Sequence, residues 1–449
     1  VVALFATALA ACGGGEKAGS GVVVRDSAGI TIVESRTPLW RSGTGWKVAR
    51  EALVSIGTSD GGPETQLYRT VGATRLPDGR IVIANAGTSA IRFYDAQGGY
   101  IREVGGQGEG PGEFVRLDWL HRFGEDSLIV FDSRLHRLSV FDSDGSFTRA
   151  FRLERVIAFP EFPLAGGGLG ASTRDLVPRS HLQTGVNRDS TTVLTFSMEG
   201  IPRDTIGPFP TPETYLWVEG SSITVVPYPF ARTLVLASFG DGFYFGSSDA
   251  YEIRVYATDG TVERIIRRTD AMRSATQADI ERFKAEALAN ARSEDHRRQL
   301  ERIFKAMSFP KMLPAFVDVV VDVEGYLWVE AYHRTSEDLS RWDVFDREGR
   351  WLGTVEMTPE LGVYEIGTDY VLGKSHDALG TEAVQLYRLV RGGIGARVAS
   401  AGCPDGQRDW RTRTALPHRT TTDSHCGRAT RGLALRDMAL ATGAFGPER

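Results

Sequence analysis

Cysteine is scarce: three among 449 residues, too few for a disulfide framework to define the fold. A dominant charge is missing as well. Lys and Arg number 52 against 57 Asp and Glu, a formal net charge of -5, so the chain carries no electrostatic footprint for DNA or RNA. The apolar opening, residues 1–11, is shorter than the roughly 20 residues that a membrane-spanning helix needs. No His-Glu-x-x-His motif occurs, which removes support for zincin hydrolases. What the sequence does have is glycine: 51 residues, above the average of about 7%. Without a collagen period, that many glycines imply many tight turns and hence many short strands. A hydrophobic fraction of 41% leaves ample material for a core.

The first residues bear on location. Val1 to Ala11 (VVALFATALAA) fits the apolar region of a secretory signal; with no Met or basic segment ahead of it, the expectation is a start inside the precursor or at a non-standard start codon. Leu9-Ala10-Ala11-Cys12 resembles the lipobox of bacterial lipoproteins, in which a peptidase cuts before the Cys and the thiol carries a diacylglycerol. The resemblance implies a lipidated Cys12, with residues 12–21 as a flexible Gly- and Ser-rich tether. Gly13 rather than Asp follows the Cys, which by the same resemblance favours the outer membrane. The expected location is therefore the periplasm or cell surface, with the membrane reached through the lipid. A chance Cys behind an apolar leader is the alternative.

The body of the chain repeats itself. An aromatic residue followed four places later by Gly recurs as Tyr94/Gly98, Phe141/Gly145, Phe196/Gly200, Tyr256/Gly260 and Phe345/Gly349. The first two copies superpose without a gap at an offset of 47, placing Arg69 on Arg116, Ile83 on Val130 and Asp95 on Asp142. Each copy reads as apolar strand, turn, strand, loop, strand, glycine turn, strand, the glycine turn being Asp-x-x-Gly at Asp95, Asp142 and Asp346. Gly accepts a positive φ there, and the Asp side chain bonds nearby backbone. Four antiparallel strands in 40 to 50 residues describe a β-propeller blade. A lone blade is apolar on both faces, so only stacking into a ring buries them.

Five units are expected at about 47–106, 114–151, 155–207, 215–266 and 312–355. A sixth assembles from Val363 to Ile366, Tyr370 to Lys374 and Val384 to Val390, with the N-terminal strand Ile30 to Glu34 closing the ring so that no edge stays unpaired. The fold class is all-β: one six-bladed propeller over 22–391, made of four-stranded antiparallel blades. The link Gly105-Gly106-Gln107-Gly108-Glu109-Gly110-Pro111-Gly112-Glu113-Phe114 and the Arg25-Asp26-Ser27-Ala28-Gly29 start resemble those of secreted six-bladed, NHL-repeat-like propeller lipoproteins of bacteria. That resemblance covers about 22 to 391 and speaks to fold more than to activity.

Two segments depart from the ring. Residues 274–307 read as a helical insertion, with Ser274-x-x-Gln277 as a capping box and Leu300, Ile303, Phe304 and Met307 on one face. It serves as rim packing, as a lid or as a partner-binding element. From 392 to 449 the β pattern stops, which suits a disordered or out-of-frame tail. Cys403, His418, His425 and Cys426 in it match no zinc-finger spacing.

Candidate chemistry is sparse. The glycine-rich link lacks the spacing and lysine of a phosphate-binding loop and joins two strands. Propeller ligands sit at the axis where the innermost strands begin, which selects Arg69, Arg116, Asp118, Trp119, Arg232 and Phe316. Guanidinium forks match carboxylates and aromatic rings stack on sugars, so a protein, peptide or glycan ligand is expected; equivalent structural arginines repeated by the blade are the plain alternative. No catalytic residue, cofactor or metal ligand is assigned. His121 and His136 in the second unit, His333 in the fifth and His376 in the sixth would have to meet at the axis for the alternative, an NHL-like or lactonase-like hydrolase or lyase with a central divalent metal. The reading is a monomeric, extracytoplasmic binding scaffold.

Overall fold

The computed structural model describes residues 21–392 apart from 125, 154–157, 165–166, 174–182, 221, 241, 270, 334–338 and 378, together with 430–431. Cys12, the tether before residue 21, and nearly all of the tail lie outside the described residues. Thr430–Arg431 pairs antiparallel with Ala237 and Ser238.

Six four-stranded antiparallel sheets form the ring. Blade one is Thr70–Arg75, Ile81–Asn85, Ala90–Tyr94 and Tyr100–Gly105, and blade two is Leu117–Phe123, Ser127–Asp132, Arg137–Asp142 and Phe147–Arg152. Blade three uses Ala158–Leu164, Gly168–Thr173, Ser190–Phe196 and Pro202–Pro210; blade four uses Leu234–Phe239, Gly242–Ser247, Glu252–Tyr256 and Val262–Arg268. Blade five is Asp318–Val321, Leu327–Glu330, Ser340–Phe345 and Trp351–Met357. Blade six takes Gly362–Ile366, Tyr370–His376 and Glu382–Val390 from the C-terminal side and Lys47–Ile56 from the N-terminal side. The first strand of every blade lies against the first strand of both neighbouring blades, so the ring closes.

Between blades the cores are apolar. Trp119, Ile129, Leu138, Leu169, Ala171 and Phe196 fill the gap between blades two and three, while Tyr251, Ile253, Phe316, Val319 and Phe345 fill that between four and five. Burying large aromatics on both faces of each sheet is what makes stacking favourable, at about 25 cal/mol per Å² of apolar surface. One polar group caught in these seams is fully paired. Asp343 accepts from Tyr251 at 2.7 Å and from Thr354 at 2.7 Å and pairs with Arg268, whose guanidinium lies 3.8 Å over Trp351.

The Asp-x-x-Gly turns behave as the sequence implies. In blade two, Asp142 accepts from the backbone N–H groups of Asp144 and Ser146, and Gly145 takes φ +78° against the Phe93 ring of blade one.

Three expectations need correction. Ile30–Ser35 does not close the sixth blade; it runs parallel to Val262–Arg268 and, with Val22–Ser27, adds a hairpin outside blade four. Lys47–Ile56, expected at the start of the first unit, is the closing strand. Both come from the N-terminal segment outside the repeated units, and a short apolar pattern says nothing about which sheet such a strand joins. The fourth unit begins at Leu234 rather than 215: Thr214–Glu219 and Ser222–Val226 form a separate small sheet with Gly185–Asn187.

That sheet is covered by the insertion, which is two helices. α1 (Gln277–Ala289) starts at Thr276, not Ser274: Thr276 Oγ1 accepts from the Asp279 N–H and the Asp279 carboxylate accepts from the Thr276 N–H. α2 (Glu294–Ala306) is capped by Ser293. Leu300, Ile303, Phe304 and Met307 bury against Tyr215 and Val226. Among the described residues no helix is long and apolar enough to cross a membrane.

Candidate functional site

The two faces of the ring differ. Within each blade the first and third strands run one way and the second and fourth the other, so two kinds of connection share each face. Among the described residues, one face carries tight turns such as 76–80, 95–99, 143–146 and 346–350, together with the end of the 36–46 link, where Trp46 packs on Tyr326. The other carries 183–189, 211–233 apart from 221, 271–317 and 331–333, which include the small sheet and both helices. Binding residues concentrate on long loops carried by a rigid frame.

The residues selected from sequence sit on or beneath that second face, spread over several blades. Arg69 is exposed before the first strand of blade one, with φ +54°. Arg116 is exposed and lies 3.1 Å from Asp118, which also accepts from the Ser133 hydroxyl. Trp119 is buried, 4.4 Å from the His121 ring, and belongs to the seam between blades two and three. Phe316 is fully buried, edge-on to Tyr251 at 5.7 Å. Neither aromatic can face a ligand: the alternation of its strand turns Trp119 into one seam, and Phe316, two residues before its strand, is buried in the seam between blades four and five. Arg232 is largely buried beside Asp249 at 3.8 Å, and its N–H donates to Glu213 at 2.8 Å. Asp249 also receives both guanidinium nitrogens of Arg188, at 2.8 and 2.7 Å. Burial alone would raise the Asp249 carboxyl, but hydrogen bonds from Arg188 and Ser247 outweigh it and hold the group below its ordinary range.

A cleft of about 170 Å³ lies next to Arg232, between α1 and the rims of blades four and five. Tyr228, Phe230, Phe283 and Tyr332 give it aromatic walls, and Arg282, Asp279 and Glu286 give it polar ones. Phe230 meets Tyr332 edge-to-face at 6.1 Å, and Tyr228 stacks on Tyr215 at 6.0 Å. Tyr228 donates its hydroxyl to the Ser308 carbonyl at 3.0 Å, and burial holds this phenol above its ordinary range, so it stays neutral. The Tyr332 carbonyl accepts from Arg273. Phe230 adopts φ +52°, a conformation that costs a bulky residue on the order of 1–3 kcal/mol and gathers at functional sites.

Sequence reasoning passed over Tyr228, Phe283, Tyr332, Arg282 and Glu286. The available signal was Pro227-Tyr228-Pro229-Phe230: two aromatics between prolines, outside any strand alternation, facing a helical insertion.

Nothing groups the histidines. His136 sits in a turn at φ +49°, His333 lies 3.8 Å from Glu330, and His376 lies 3.7 Å from Glu382, each in its own blade. Among the described residues no three His, Cys, Asp or Glu side chains are placed to share a metal ion.

Comparison with known proteins adds to the fold. Among solved structures, the chain is similar to a Bacteroides fragilis protein described as exported, at 12% identity and TM-score 0.45, over 80% of this chain and 98% of that one. It is similar to a Bacteroides vulgatus protein at 9% identity and TM-score 0.43, over 78% and 99%, and to virginiamycin B lyase from Staphylococcus aureus at 10% and 0.36, over 77% and 99%. No curated protein sequence matches the chain. Residues 63–162, which hold blades one and two, match a family described as a 6-bladed beta-propeller, in agreement with the six sheets of the ring.

Proposed function

We propose that the protein is an extracytoplasmic propeller, anchored by lipid at Cys12, that binds a ligand on the face carrying the long excursions. One observation carries the reading: among the described residues the longest connections, those between Pro210 and Leu234 and between Arg268 and Asp318, leave from that face, while the opposite face carries tight turns and the end of the 36–46 link. A ring that served only as packing would have no reason to elaborate one side. The Leu9-Ala10-Ala11-Cys12 motif supports the anchor and the extracytoplasmic location.

Two experiments test this reading. The Cys12→Ser protein should leave the membrane fraction, and persistent membrane association would remove the anchor from the account. Elemental analysis of the purified protein should find no stoichiometric divalent ion. An ion held by ring side chains, with turnover that depends on it, would replace the scaffold by a metal-dependent hydrolase or lyase.

A further inference from the structure

We propose that the cleft between α1 and the rims of blades four and five is a carbohydrate subsite, taking one ring of an uncharged glycan. The inference rests on the ligand-binding face proposed above and names the ligand class.

The walls are the first argument. Tyr228 and Phe230 come from the loop before blade four, Tyr332 from a loop of blade five, and Phe283 from α1. Aromatic side chains from three separate excursions line one opening: Tyr228, Phe283 and Tyr332 are partly exposed and offer flat apolar surfaces to the C–H face of a pyranose, and Phe230, itself buried, backs Tyr332 edge-to-face. At about 170 Å³ the space is well below the ~300–1,000 Å³ of a drug-sized pocket, which suits a single ring with the rest of a chain running outside.

The polar groups are the second argument. Arg282 and Glu286 stand one turn apart on α1 and both line the cleft, so guanidinium donors and carboxylate acceptors face the same space. Sugar hydroxyls both donate and accept, and such a mixed pair satisfies them. An anionic ligand is disfavoured because Arg282 already has a carboxylate near it: Asp279 is 3.8 Å away.

Preorganisation is the third. Tyr228 is tied to Ser308 and the Tyr332 backbone to Arg273, while Asp279 is held in the capping box of α1. Phe230 is kept at positive φ, an arrangement that packing alone has no need to hold. Rigid aromatic walls lose little entropy on binding.

The test is an array of neutral glycans, acidic glycans and peptides probed with the full-length protein, repeated with Phe230→Gly and Tyr332→Ala. Glycine accepts the positive φ, so Phe230→Gly removes the ring without backbone strain, and unfolding curves check that both variants remain folded. Neutral glycans should be retained, and each variant should weaken them roughly tenfold or more, the size of a lost ring contact. Glu286→Gln should reorder preference among neutral sugars, because it changes an acceptor and leaves the stacking intact. Peptides or acidic glycans retained instead, and lost in the same variants, would overturn the carbohydrate assignment while leaving the binding face standing. Retention of any ligand that is indifferent to both variants would overturn the subsite, and loss of that retention on substituting turns of the opposite face would overturn the binding face too.

Discussion

At the scale of single residues, the ring depends on a few side chains whose surroundings leave no alternative. Arg391 ends the last strand and reaches into blade five, where its guanidinium pairs with the fully buried Asp322 at 2.8 Å and with Glu324 at 2.8 Å. It also lies 4.3 Å over Trp46. Burial raises the Asp322 carboxyl, and the Arg391 charge only partly offsets this. Arg391→Ala strands that carboxylate, so the expected loss is about 3–5 kcal/mol, read from denaturant unfolding; a change below about 1 kcal/mol would mean that water reaches Asp322. Gly145 is a second case. At φ +78°, an added Cβ would meet the Phe93 ring at 2.8 Å, so Gly145→Ala should cost at least about 1–2 kcal/mol, and an unchanged midpoint would contradict the turn geometry.

At the scale of elements, the N-terminal segment has two jobs. The hairpin of Val22–Ser27 and Ile30–Ser35 clips onto blade four through Arg267, which bonds Glu34 at 3.0 Å and Glu252 at 2.8 Å. Hydrogen bonds from Arg25 and Arg267 lower the Glu34 carboxyl. For Glu252, burial pulls upward and bonds from Arg254 and Arg267 outweigh it. A lowered folded pKa stabilises fully above the ordinary carboxylate range and loses that contribution as pH falls through the folded value. Glu252→Gln should therefore be less stable than the parent at neutral pH, with the gap closing on acidification below the ordinary glutamate value of 4.5; a gap independent of pH would show that the pairing contributes nothing. Lys47–Ile56, by contrast, closes the ring. Deleting residues 22–36 should leave a cooperative unfolding transition, whereas deleting 22–56 should abolish it. A cooperative transition in the shorter protein would mean that blade six holds with three strands.

These elements also show what sequence could and could not convey. The blades were legible because their turns need glycine at positive φ and an Asp to bond the backbone, both local demands written at fixed spacing. The sheet that each N-terminal strand joins was not, because tertiary pairing alone puts Ile30–Ser35 on blade four and Lys47–Ile56 on blade six. The hairpin at 214–226 has the same alternation as a blade, yet its apolar side packs on α2. At the site the limit was sharper. Arg69 and Arg116 stand just before first strands and Asp118 lies within one, but Trp119 is turned inward by its strand and Phe316, ahead of its strand, is drawn into a seam, which a blade pattern alone does not tell. The cleft joins residues 228, 283 and 332, and no spacing rule connects positions so far apart.

At the scale of the whole molecule, six blades supply a rigid frame and one face supplies the variation. The helices and the small sheet share their own apolar cluster on that face, so the frame can hold a binding surface without exposing its seams. The most direct measurement is hydrogen–deuterium exchange of the full-length protein with and without a ligand retained on the array. Protection is expected at 228–233, 277–289 and 331–333, with the turns at 95–99, 143–146 and 346–350 unchanged. Protection confined to those turns would contradict the assignment of the binding face.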